Sequence, residues 1–142
     1  MKSFKKTEKV KIYIFIILFL FPLIVHSNNN WVKVATAENG HTFYIDKEQI
    51  EEDNNLIYFW KLINYKKPDE YGDLSAKVYI KVLCEKLQFQ WLYISYHKKQ
   101  MGQDNTPVKK ASEVVSAWQE PSANSTSKKV IEYVCNYVGL KL

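Results

Sequence analysis

Two cysteines constrain this chain more than any other feature, because each lies in a segment whose period can be read. Cys84 ends the run Ser75–Cys84 (SAKVYIKVLC). There Ala76, Val78, Ile80, Val82 and Cys84 share one side and Ser75, Lys77, Tyr79 and Lys81 the other, with Leu83 the exception. Period 2 with one apolar and one mixed side marks a half-buried antiparallel strand. Cys135 lies in a helical pattern that starts at Lys128 and ends near Gly139. Val130, Val134, Tyr137 and Val138 recur at helical spacing, with Ile131 and Cys135 on the neighbouring line, which is the apolar stripe of a helix facing a core. Both sulfurs therefore point inward, and a helix laid across the sheet brings them together. In an oxidising compartment two otherwise unpaired cysteines most economically pair with each other; in a reducing one they would stay buried free thiols.

The first 27 residues choose between those compartments. Lys2, Lys5, Lys6, Lys9 and Lys11 precede Ile12–Val25 (IYIFIILFLFPLIV), an uncharged apolar stretch of fourteen residues. A basic start followed by an apolar stretch of that length is the pattern of a secretory signal, with cleavage expected after Ser27. A spanning helix needs about 20 apolar residues, and Pro22 would weaken one. Residues 1–27 are thus expected to leave, and 28–142 to form one exported domain with no membrane contact of its own.

Cleavage also changes the charge. The whole chain has 20 basic and 15 acidic residues, net +5. The leader removes five lysines and Glu8, so 15 bases face 14 acids in the remainder, net +1. Every basic residue is a lysine; the bidentate fork that reads phosphates is absent with arginine. A near-neutral domain without arginine is not expected to bind nucleic acid.

Five strands are legible. Trp31–Ala37 alternates, Asn39-Gly40 suits a hairpin turn, and His41–Asp46 returns. Lys47–Asn55 ends in Glu51-Glu52-Asp53-Asn54-Asn55, read as a solvated turn. Leu56–Tyr65 is rich in aromatic and β-branched residues, and a loop with Pro68 and Gly72 leads to Ser75–Cys84. Phe89–His97 is the fifth strand, and a weak sixth is expected near Val108. Pro121–Ser127 offers several helix caps before the final helix. The expected fold is α+β: a single twisted antiparallel sheet of five to six strands, with a C-terminal helix on one face tethered by the Cys84–Cys135 disulfide.

No catalytic, cofactor or metal constellation stands out. Only His41 and His97 remain after the leader, both on expected strands, and no glycine-rich phosphate loop or nucleophile motif is present. A general base would need a carboxylate or nucleophile within about 3 Å of its ring, in a cleft. Asn124-Ser125-Thr126 matches a glycan acceptor, which matters only in a eukaryotic secretory route. The unusual quantity is 15% aromatic residues. They fill a core and favour strands, but a sheet with one helix has a second face, and Tyr and Trp dominate binding surfaces. On Leu56–Tyr65 parity divides Tyr58 and Trp60 from Phe59 and Tyr65; whichever set the helix leaves uncovered is the candidate binding surface, and strand edges are a second route. The expected partner is an unknown protein, a second copy included.

Several short motifs in order resemble the surface-adhesin protein E family of small exported bacterial domains. They are Trp31, Phe43-Tyr44-Ile45-Asp46, Phe59-Trp60-Lys61-Leu62, Ser75-x-Lys77 nine residues before Cys84, then Tyr96, Gly102, Trp118, Pro121-Ser122 and Cys135. The resemblance spans residues 31–136. It implies an antiparallel sheet with a disulfide-tethered C-terminal helix, no enzymatic activity, and for some members binding of host extracellular proteins. No cysteine for lipid attachment follows this leader, and Leu83 stands where the family often has an acid. The expected role is an exported binding domain, in the periplasm, secreted or at the cell surface; a small periplasmic hydrolase or a structural envelope protein is the alternative.

Overall fold

Period-2 segments become strands where they stand, and short polar segments extend the sheet they build. The computed structural model describes residues 30–139; the expected leader lies outside them. The strands are β1 (Trp31–Thr36), β2 (Thr42–Asp46), β3 (Glu51–Asp53), β4 (Leu56–Asn64), β5 (Ser75–Leu83), β6 (Gln88–His97) and β7 (Lys109–Lys110). Helices α1 (Glu113–Ser116) and α2 (Thr126–Tyr137) follow. One antiparallel sheet runs β1-β2-β4-β5-β6-β7, and β3 pairs with β4 on the flank that β2 also uses.

Two elements depart from the sequence reading. The acidic run Glu51-Glu52-Asp53 is a strand, fully exposed yet paired through its backbone with Leu56–Tyr58. The turn is Asn54-Asn55 alone, with φ of 49° and 67°, a left-handed geometry that asparagine tolerates. In β6 the register with β5 slips between Tyr79 and Ile80, so Leu92 is extra. The slip reverses parity along the strand. Phe89, Trp91, Ile94 and Tyr96 share a face with Ile80 and Val78, whereas Tyr93, Ser95 and His97 share the other with Tyr79 and Lys77.

Helix α2 covers one face. Ser125 caps it by accepting from the Lys128 amide at 3.1 Å. Val130, Ile131, Val134 and Cys135 are buried against Ala35, Ile45, Ile57, Phe59, Val82 and Phe89. Burying the three aliphatic side chains of the helix contributes on the order of 5 kcal/mol. Cys84 and Cys135 are bonded, with Cα atoms 5.8 Å apart. Tyr137, expected in the stripe, is 53% exposed. Its ring instead lies beside that of Tyr133 under the Lys47 ammonium, which stands 4.8 Å and 5.3 Å from their centres.

Candidate binding surface

Sheet parity decides where each aromatic goes. Phe59 is fully buried beneath the helix, so the Phe59–Tyr65 set is not the uncovered one. Tyr65 lies past the end of β4, half-buried, in a tilted pair with His41 at 5.2 Å. Tyr58 and Trp60 occupy the opposite face and are half-buried.

On that face, register lines up Trp60, Tyr79, Tyr93 and Lys110 across four strands. Three strand spacings make the line about 15 Å long. The rings touch: centres are 5.0 Å apart for Trp60–Tyr79 and 6.3 Å for Tyr79–Tyr93, and Tyr58 stacks on Tyr79 at 6.3 Å. Burial first, and then Glu51, hold the Tyr79 phenol above its ordinary pKa, so it presents a hydroxyl. Trp118 joins the patch with the Lys81 ammonium 4.9 Å from its ring centre. Tyr93 and Trp118 remain 45% and 41% exposed. The sequence reading named Tyr58 and Trp60 but could not join Tyr79, Tyr93 and Trp118 to them. Tyr79 follows from the alternation of β5, but the Leu92 bulge places Tyr93 and the chain's return past β6 places Trp118, and neither of those has a period.

The rest of the same face is covered by residues 98–108, which cross it as a strap. Ser75 Oγ donates to the Lys99 carbonyl (2.6 Å) and accepts from the Gly102 amide (2.9 Å). Lys77 Nζ donates to the Gly102 carbonyl at 3.0 Å, and Asn64 Oδ1 accepts from the Met101 amide at 2.8 Å. Gly102 has a φ of 59°, and a Cβ there would stand 2.2 Å from Lys77 Cε, so a larger residue would strain the backbone and push the lysine off the Gly102 carbonyl. Where strap and aromatic line meet, Asp46, Gln49, Trp60, Lys77 and Val108 line a shallow, open pocket of about 170 Å³.

His97 lies under the strap. Its Nδ1 pairs with Asp104, and its Nε2 is 2.8 Å from Ser95 Oγ. Asp104 also accepts from the Thr106 hydroxyl (2.7 Å) and the Lys98 amide (2.8 Å). The Thr106 hydroxyl, then His97, hold its carboxyl well below the usual range. Serine, imidazole and carboxylate thus meet the distance expected of a nucleophile and its base. They do not meet the requirement for a cleft, since Ser95 and His97 are 3% and 2% exposed. The cluster clasps the strap to the sheet. His41 accepts from the Lys66 amide through Nδ1 (3.2 Å) and stands near no such group. Among the described residues no group of three or more His, Cys, Asp and Glu is arranged to hold a metal ion. No helix among them is long and apolar enough to cross a membrane.

Edges differ as well. The free flank of β6 is occupied by β7, by the Phe89–Gln119 bridge and by the Ala111 amide donating to the Leu92 carbonyl. On β1, a register shift between Lys33 and Ala35 and the lysine itself interrupt the outer edge.

No curated protein matches the sequence. Two solved structures of Haemophilus influenzae protein E share the fold, each with a TM-score of 0.60. One is 19% identical, covering 83% of this chain and 94% of its own; the other is 18% identical, covering 85% and 93%. The model of the surface-adhesin protein E family matches residues 31–136. The chain belongs to the surface-adhesin protein E family, and its role is binding rather than catalysis.

Proposed function

We propose that this protein is an exported adhesin domain, freed of residues 1–27, that holds a protein partner on the aromatic line of its uncovered sheet face. One observation carries the reading: Tyr58, Trp60, Tyr79 and Tyr93 form a continuous patch on the side without the helix, and Lys81 holds Trp118 beside it. Tyrosine and tryptophan provide large contact area at low cost in rotamer entropy, and they anchor best beside a pocket that takes a partner side chain. The pocket at Trp60 stands in that position. Lys81 and Lys110 add positive charge at the β5–β7 end of the line, and Glu51 adds a negative charge near Tyr58.

The test is capture of extracellular-matrix and serum proteins by the purified domain. Paired Tyr93→Ala and Trp118→Ala substitutions should weaken capture at least tenfold with little change in melting temperature. Undiminished capture would move the binding surface elsewhere. Export is checked separately by mass spectrometry of the native protein, which should begin near Asn28; an intact Met1 on mature protein would refute cleavage.

A further inference from the structure

The pocket beside Trp60 is lined by two groups whose charges cancel, Asp46 and Lys77. Asp46 ends β2 on the open face and is 2% exposed. Its Oδ1 accepts from the Glu48 amide at 3.2 Å and its Oδ2 from Gln49 Nε2 at 3.0 Å. A carboxylate offers about four acceptor sites, so about half of them are free. Among the described residues no lysine or histidine nitrogen stands within 4.0 Å of it. Lys77 Nζ donates to the Gly102 carbonyl at 3.0 Å and has further protons to give. Trp60 and Val108 supply the apolar lining.

These groups define what the pocket can hold. A cation would answer Asp46 but meet Lys77, and an anion would do the reverse. A neutral group with one donor and one acceptor answers both, its N–H to Asp46 and its C=O to Lys77, and that pair is an amide. Trp60 and Val108 add the need for an apolar end. The space of about 170 Å³ equals roughly six liquid waters and is open to solvent. An acetamido group, a methyl beside an amide, fits it; a whole sugar ring does not. Whatever carries that group continues along the aromatic line. There Trp60, Tyr79 and Tyr93 follow at ring spacings of 5.0 Å and 6.3 Å, with planes inclined by 36° and 37°. Rings so placed make a gently turning platform. A pyranose has C–H groups on its faces and hydroxyls around its edge, so it can lie on such rings while tyrosine hydroxyls and Lys81 reach its edge.

We propose that the Asp46–Lys77 pocket and the aromatic line together form a site for a glycan of N-acetylhexosamines. One acetamido group occupies the pocket, and the sugar rings lie on Trp60, Tyr79 and Tyr93. The inference rests on the aromatic line being the binding surface, and it names what the partner presents there: its glycan rather than its polypeptide. An asparagine or glutamine side chain brings the same donor and acceptor. It has neither the methyl for Trp60 and Val108 nor the flat faces that would follow over Tyr79 and Tyr93.

NMR titration of the whole domain tests this with three sugars: tri-N-acetylchitotriose, its fully deacetylated form, and cellotriose, which has a hydroxyl in place of each acetamido group. The acetylated trimer should bind at least tenfold more tightly than the other two and shift the Trp60 indole and Tyr93 ring signals. Asp46→Asn keeps the shape of the pocket and loses its charge; it should weaken the acetylated trimer several-fold and leave cellotriose unchanged. Trp60→Leu should weaken the acetylated trimer at least tenfold. The comparison of sugars on the unaltered protein decides the matter even where a variant fails to fold. Equal binding of the three sugars, no binding of the acetylated trimer at about 10 mM, or a preference undiminished in both variants would overturn the proposal. Matrix proteins still captured through Tyr93 and Trp118 after enzymatic removal of their glycans would overturn it too, while leaving the aromatic line as a surface for polypeptide.

Discussion

Lysine at position 61 is an uncommon choice for a strand interior flanked by isoleucine and valine, and it leaves a measurable trace in the pH dependence of folding. Its pKa is about 8 in the folded chain against 10.5 unfolded. Between those values the unfolded state binds more protons, so stability should rise with pH across that window. The rise from this group is at most about 3 kcal/mol. Urea unfolding at pH 7 and pH 9.5 measures it, and Lys61→Met should both raise stability at pH 7 and flatten the slope. Asp104 acts with the opposite sense. Its carboxyl is held down by the Thr106 hydroxyl and by His97. The stability it contributes is complete above the unfolded carboxylate pKa near 4 and is lost as pH falls toward the lower folded value. Comparing wild type with Asp104→Asn at pH 7 and pH 3 should show the gap between them closing in acid. A gap that stays constant would remove Asp104 from the clasp.

Between elements, the strongest single constraint is the bond from the end of β5 to α2. It spans a sequence separation of 51. By the chain-entropy estimate, a loop of that length is worth about 4 kcal/mol. The helix otherwise holds on by one stripe of four buried residues, so reduction should release it before the sheet melts. Hydrogen exchange after reduction should show Val130–Cys135 amides losing protection while β5 amides keep theirs. Simultaneous loss in both would mean that helix and sheet form one cooperative unit. The strap contrasts with the helix: Ser75, Lys77 and Asn64 hold it by hydrogen bonds, and its own Asp104 holds it to His97. Its attachment is polar and local, which is why no hydrophobic period announces it.

For the whole molecule, two faces of one sheet carry different work. The covered face holds the core and the lone lysine; the other carries the aromatic line and the strap. Aromatic residues on the two faces therefore differ sharply in consequence. Phe59→Ala opens a cavity in the core and should cost about 3–5 kcal/mol. Tyr93→Ala, on the opposite face, should shift thermal melting by only a few degrees, as expected for a partly exposed side chain. Thermal denaturation of the two variants decides it, and a large loss for Tyr93→Ala would make the aromatic line a second core.

Much of this could be read from residue order, because a period needs only local sterics. Alternation in Ser75–Cys84 and the helical stripe ending at Cys135 specified a strand, a helix, their inward faces and hence the bond between them. Parity on β4 likewise separated Phe59 from Trp60 before any contact was known. The rest depends on backbone pairing and chain return, which leave no pattern in side-chain polarity. An acidic run became β3 because β4 had a free flank, and one extra residue at Leu92 turned Tyr93 to the open face. The same applies to the Ser95–His97–Asp104 clasp and to the meeting of Lys61 with Trp91. Each joins residues on different strands or loops, and only the folded sheet sets the distances between them.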